Sequence, residues 1–179
     1  LGQDGVPELI SARYANRDLL EHDCNLYLIG SPRANNLTAE ALNLLQGNRA
    51  HPWRFIIPRR GADHVSSLVG YRSGKEWVCN ADHSVTLPER DYGLFMRGPH
   101  PMHKGRLIMV LAGTRSLGTG GVCLATTRPR LIQQIQDTLT PFPLDEQERV
   151  VWVLVCAEPD PQDHHASVEK TTIVDAGIL

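Results

Sequence analysis

Apolar positions along this chain fall into short groups with two kinds of spacing, one close to a helical repeat and one nearly continuous. Leu9, Ile10, Tyr14 and Leu19 or Leu20 recur near helical spacing behind Pro7, whose missing N–H costs little in a first turn; they predict an opening helix over residues 7–21. Residues 24–30, CNLYLIG, form an almost unbroken apolar run closed by Gly30, the pattern of a strand covered on both faces as in parallel sheets. Leu37, Ala41, Leu42 and Leu45 then share one face of a helix over residues 37–45, with Asn36 or Thr38 placed to cap it.

Residues 53–57 read as a further strand stopped by Pro58, and the Gly, Ser and Asp residues between Gly61 and Gly74 suggest turns around short antiparallel pieces. Residues 92–96 and 106–112 read as two strands joined by the turn-rich segment from Gly98 to Gly105. A glycine-rich segment follows, Gly113 to Gly121. Residues 122–126 and 130–139 then read as helical segments interrupted at Pro129, and residues 149–157 as another buried strand. The polar stretch 158–167 reads as a surface loop, ahead of an edge strand at 171–174. Strands alternating with helices at both ends, around a more antiparallel middle, predict an α/β, Rossmann-like three-layer domain. Its central sheet would be mostly parallel, with an antiparallel middle insertion.

Composition narrows the functional classes. With 179 residues, 41% hydrophobic and 21% charged, the chain fits a single ordinary globular domain, residues 1–179. The start, Leu-Gly-Gln-Asp, reads as that of a domain excised from a larger protein whose neighbouring domains are missing. No apolar run approaches the ~20 residues of a membrane span, so a soluble protein is expected. The net charge of -2, with the basic residues scattered, argues against a nucleic-acid partner. The four cysteines form no C-x-x-C pair; Cys24, Cys123 and Cys156 lie in or beside apolar segments and Cys79 does not. A reduced, cytoplasmic setting follows as the plainer expectation.

Two glycine-containing turns carry the candidate chemistry, residues 30–36 and 113–121. A helix N-terminus leaves backbone N–H groups unpaired and carries partial positive charge, so a glycine turn feeding a helix is suited to an anion. In open parallel sheets ligands bind beyond the carboxyl ends of strands, where both turns would sit. In the second turn Gly113 and Gly118 allow close backbone approach, Thr114, Ser116 and Thr119 add hydroxyls, and Arg115 adds charge. The plain alternative is that these glycines make a tight turn and let a helix pack closely on the sheet. In the first turn Asn35 could read a ligand edge or serve turn and cap geometry. Asp91 could accept a ligand hydroxyl or simply start a turn.

The spacing fits neither a Walker loop, which needs Lys-Ser/Thr after the glycines, nor G-x-G-x-x-G, so ATPase and dinucleotide readings lose ground and no cofactor is expected. His100 and His103 lack a third ligand nearby in sequence, so no metal is expected; His164 and His165 read as loop residues. Without G-x-S-x-G, and with no histidine paired to Ser116 or Thr119, covalent catalysis has no support and no catalytic residue is assigned.

The succession Leu28-Ile29-Gly30-Ser31-Pro32-x-x-Asn35, Asp91-Tyr92-Gly93-Leu94, His100-Pro101, Val110-Leu111-Ala112-Gly113 and Gly118-Thr119 resembles a little-characterised prokaryotic domain found beside regulatory or cell-surface modules. The shared pattern covers roughly residues 25–124 and reads G-G-P-x-x-N, D-Y-G, N-P and A-G-x-x-x-x-G-T. This chain has Ser31 where a second glycine is usual and His100 where asparagine precedes the proline. The resemblance implies a Rossmann-like fold and a sensing or ligand-binding role, and it supplies no catalytic residue.

Together these readings predict a sensor domain without its own catalysis, binding a small anionic molecule such as a nucleotide through Gly113, Thr114, Arg115, Ser116, Gly118 and Thr119, helped by Asn35 and Asp91. Two alternatives stay open. One is a small hydrolase or transferase acting on a nucleoside or phosphorylated sugar, with Asp91 or a histidine as general acid or base. The other is a structural or oligomerisation module that forms a homodimer through apolar surface.

Overall fold

A computed structural model describes residues 17–58, 65–79, 88–140 and 149–179, with Arg17 and Val168 described by their backbone alone. Most of the opening helix expected over residues 7–21 lies outside these residues; within them Arg17–Glu21 is a 3-10 helix. The elements that follow are β1 (Leu26–Ile29), α1 (Asn36–Gln46), β2 (Arg54–Ile56), β3 (Ser67–Val69), β4 (Glu76–Val78), β5 (Asp91–Pro99) and β6 (Leu107–Gly113). After these come α2 (Ser116–Thr127), α3 (Pro129–Leu139), β7 (Val151–Pro159) and β8 (Ala166–Ile178).

Five strands form one mixed sheet in the order β1-β6-β5-β7-β8, and β2-β3-β4 form a small antiparallel sheet. The expectation of a mostly parallel Rossmann-like sheet is therefore wrong. Among the described residues only β1 and β6 pair in parallel; β5 pairs antiparallel with both β6 and β7, and β7 antiparallel with β8. The pairings give β1, β6 and β7 a common direction, but the β5–β6 hairpin wedges β5 between β6 and β7 and removes a second parallel contact. The apolar runs that suggested parallel strands report burial on both faces, which antiparallel strands share when both faces are covered.

That double burial is visible in the alternation of the central strands. Leu94, Met96, Ile108, Val110, Ala112, Trp152 and Leu154 join the apolar face of α1 and residues of the small sheet in one core. The intervening Leu111, Val151, Val153 and Val155 face Val122 and Ala125 of α2 and Leu139 of α3. Successive strand residues point to opposite faces, so α1 with the small sheet covers one side and α2 with α3 the other. The three tryptophans tie the small sheet to β7: Trp53 lies 5.5 Å from Trp77 and 5.0 Å from Trp152, ring centre to ring centre. Gln46, at the end of α1, closes this corner by accepting from the Trp53 amide and donating to its carbonyl.

Two other expectations change. The apolar run of residues 24–30 predicts a strand buried on both faces, yet β1 is a sheet edge, with Leu28 buried and Tyr27 and Ile29 exposed. The loop expected at 158–167 shrinks to the turn between β7 and a 13-residue β8.

Candidate ligand site

The single parallel pair sets the geometry of the site. Because β1 and β6 run side by side in the same direction, the turns into α1 and α2 emerge together at one end of the sheet, and the Gly30 amide donates to the Leu111 carbonyl at 3.0 Å. In the first turn Asn35 has extended backbone geometry and its side chain accepts from the Leu37 amide at 3.0 Å, making it the N-cap of α1. The cap expected at Asn36 or Thr38 is thus one residue earlier or more. Gly30, with φ +118°, supplies a backbone conformation that side-chain-bearing residues avoid.

The second turn is built differently. Arg115 occupies the N-cap position of α2 and provides no capping bond. The cap comes instead from β5: the Asp91 carboxylate accepts from the amides of Arg115 at 3.0 Å and Gly118 at 2.6 Å, from the Thr114 hydroxyl, and from the Tyr92 amide at 2.8 Å. Asp91 is fully buried. Burial pushes its pKa above the ordinary carboxylate value, opposed by the Thr114 hydroxyl and the Gly118, Tyr92 and Arg115 amides. An acceptor belonging to the chain thus takes the position at the helix N-terminus where an external anion was expected.

α2 begins at Ser116, six residues before the helix start expected at residue 122, so Gly118 and Gly121 belong to the helix and only Gly113 precedes it; together these glycines create the room for that contact. A Cβ at Gly113 would collide with the Thr119 amide nitrogen, and one at Gly118 with the Tyr92 carbonyl oxygen and, at 2.8 Å, an Asp91 carboxylate oxygen. One at Gly121 would lie 2.6 Å from the Ala157 Cβ. Close packing of α2 across β5, β6 and β7 is therefore what these glycines allow. Thr119, at the start of α2, ties the helix back to β6, its hydroxyl accepting from the Gly113 amide at 3.0 Å and donating to the Arg115 carbonyl at 3.1 Å.

The structure therefore brings Gly113, Thr114, Arg115, Gly118, Thr119 and Asp91 together. Asn35 stands in the neighbouring turn, engaged as a cap. Ser116 is exposed and Arg115 half-buried. Sequence reasoning missed Cys79, which is buried beside this cluster. Burial, followed by the neighbouring Asp91, pushes its thiol up to about 12, with Arg115 and Thr114 pulling the other way. A thiol so held stays protonated near neutral pH and is a poor nucleophile. Its position just after β4, away from the apolar runs of the sequence, was the one available signal.

His100 and His103 lie at the opposite end of β5 and β6, in the hairpin turn. Their ring centres are 4.7 Å apart, and His103 Nε2 is 2.7 Å from the Glu21 carbonyl oxygen. His100 is buried, its Nδ1 accepts from the Met102 amide, and its Nε2 has no hydrogen bond of ordinary geometry. Burial and then His103 lower its pKa, with Asp23 and the backbone at Leu20 acting the other way. Among the described residues no group of three or more His, Cys, Asp or Glu side chains is arranged to hold a metal. All four cysteines are free thiols, and no described helix is long and apolar enough to cross a membrane.

Compared with known protein families, curated proteins and solved structures, the chain matches none.

Proposed function

We propose that the chain is a cytoplasmic sensor domain that binds a small anionic molecule, such as a nucleotide or sugar phosphate, at the end of the sheet where β1 and β6 run into α1 and α2. The observation that carries this reading is the pairing of two strand-to-helix turns on the one parallel strand pair, with Arg115 and Ser116 at the rim. The ligand's anionic group meets the Arg115 guanidinium and the Ser116 hydroxyl, because Asp91 already takes the amides of Arg115 and Gly118. Binding acts by favouring one arrangement of the two turns over another, and a neighbouring module reads the difference.

The hydrolase or transferase alternative draws less support. Its general acid or base would be Asp91 or a histidine; Asp91 is enclosed and engaged by the protein's own donors, His100 and His103 lie at the opposite end of β5 and β6, and the thiol of Cys79 near Asp91 is held protonated. A thermal-shift screen with phosphate, nucleotides and sugar phosphates tests the proposal. A bound compound at 100 times its Kd stabilises the fold by about 2.7 kcal/mol, and Arg115→Ala abolishes that response. No stabilisation across the panel, or stabilisation that survives Arg115→Ala, overturns it.

A further inference from the structure

The two edges of the five-stranded sheet are finished differently. β8 is long and carries Glu169, Lys170 and Asp175, charged residues of the kind that discourage edge-to-edge pairing. β1 reads Leu-Tyr-Leu-Ile, with neither charge nor proline to guard it, and β6 is its one strand neighbour among the described residues. The helical layer leaves the same place open: α2 packs on β5, β6, β7 and β8, and α3 on β8 and α2. On that face Tyr27 and Ile29, side by side with Met109 and Leu111 by register, remain 62% and 56% exposed.

We infer that β1 is a self-association edge, on which two copies of this chain pair antiparallel about a two-fold axis at Leu28 to form one continuous sheet. Register supports a second copy as the occupant. A two-fold axis perpendicular to a sheet keeps each face on its own side, so residues can pair across it only with partners of the same parity. Centred on Leu28, the pairing sets Tyr27 of each copy opposite Ile29 of the other. That makes two aromatic to β-branched cross-strand pairs from the two most exposed large apolar side chains among the described residues. The antiparallel order also places the exposed Asp23, just before β1 and paired within its own chain with Arg106 at 2.7 Å, toward the exposed Arg33 of the other copy, which donates to its own Pro58 carbonyl, so opposite charges rather than like ones meet at each end. The contact is isologous, so it closes at a dimer. This inference stands apart from the ligand-site proposal, whose residues it does not use.

Analytical ultracentrifugation of the full chain over a concentration series tests it. The expected result is a reversible monomer–dimer equilibrium, abolished by Tyr27→Lys or Ile29→Lys and retained by Val174→Lys on β8, with circular dichroism showing all three variants folded. Register is read separately by cysteine cross-linking in a Cys24→Ser background. A mixture of Tyr27→Cys and Ile29→Cys chains forms interchain disulfides readily, and either variant alone forms them poorly, because only unlike positions face each other. A chain that stays monomeric throughout the series overturns the inference, as does a dimer indifferent to Ile29→Lys or cross-linking that ignores the mixing.

Discussion

The two strand-to-helix turns lie next to each other and meet the same physical demand, yet they meet it by different means. Each must satisfy backbone N–H groups at the start of a helix. The turn into α1 does so locally, with Asn35 capping the Leu37 amide two residues on. The turn into α2 does so at long range, with Asp91 reaching from the start of β5, 27 residues before Gly118 in the chain. A local cap is a matter of helix stability alone. A long-range carboxylate cap also fixes α2 against β5 and β6, and it occupies the anion position that glycine-rich turns of this kind otherwise leave open.

Removing the two caps should break the comparison most sharply. Asp91→Ala leaves the Arg115 and Gly118 amides and the Thr114 hydroxyl buried without their acceptor, and is expected to cost about 3–5 kcal/mol in chemical denaturation. Gly118→Ala comes next. The ~1 kcal/mol that alanine ordinarily adds to a helix is outweighed by a Cβ driven against the Tyr92 carbonyl, for a net loss of about 1–3 kcal/mol. Asn35→Ala should cost only about 1 kcal/mol, the usual loss for a single N-cap. If Asn35→Ala proves as damaging as Asp91→Ala, the distinction between local and long-range capping fails.

The smallest effect contrasts Asp91 with a buried titratable group at the other end of β5. His100 lacks a hydrogen-bond partner for Nε2, and its folded-state pKa is lowered. The unfolded chain therefore binds the proton more readily. The sign follows: stability is full above the ordinary histidine value of ~6.5 and falls as pH drops through that value toward the lowered one. His100→Gln should flatten this slope in denaturation midpoints measured between about pH 7 and pH 5.

How much of this was legible in the sequence depended on whether the cause was local. The α1 face of Leu37, Ala41, Leu42 and Leu45, the β5–β6 hairpin and the break between α2 and α3 at Pro129 follow from nearby residues, and their positions match the expected ones closely. Strand direction and order did not follow, because an apolar run such as Val151 to Ala157 records burial on both faces and is silent about which strand lies beside it. The same limit applied at the site. Asp91 and the glycine-rich turn were each identifiable, but nothing in their separate stretches of sequence indicated that the carboxylate would fill the helix N-terminus. Cys79, brought beside them by the small sheet, was visible only as a cysteine outside the apolar runs.

The central claim is that Asp91 holds the α2 N-terminus and that an external anion reaches only its rim. Titrating inorganic phosphate into isotopically labelled protein, with amide and arginine side-chain signals followed by NMR, tests this directly. The account predicts saturating shifts at the Arg115 side chain and the Ser116 amide, while the Gly118 amide stays in place. A Gly118 amide that shifts and saturates together with the ligand would contradict it.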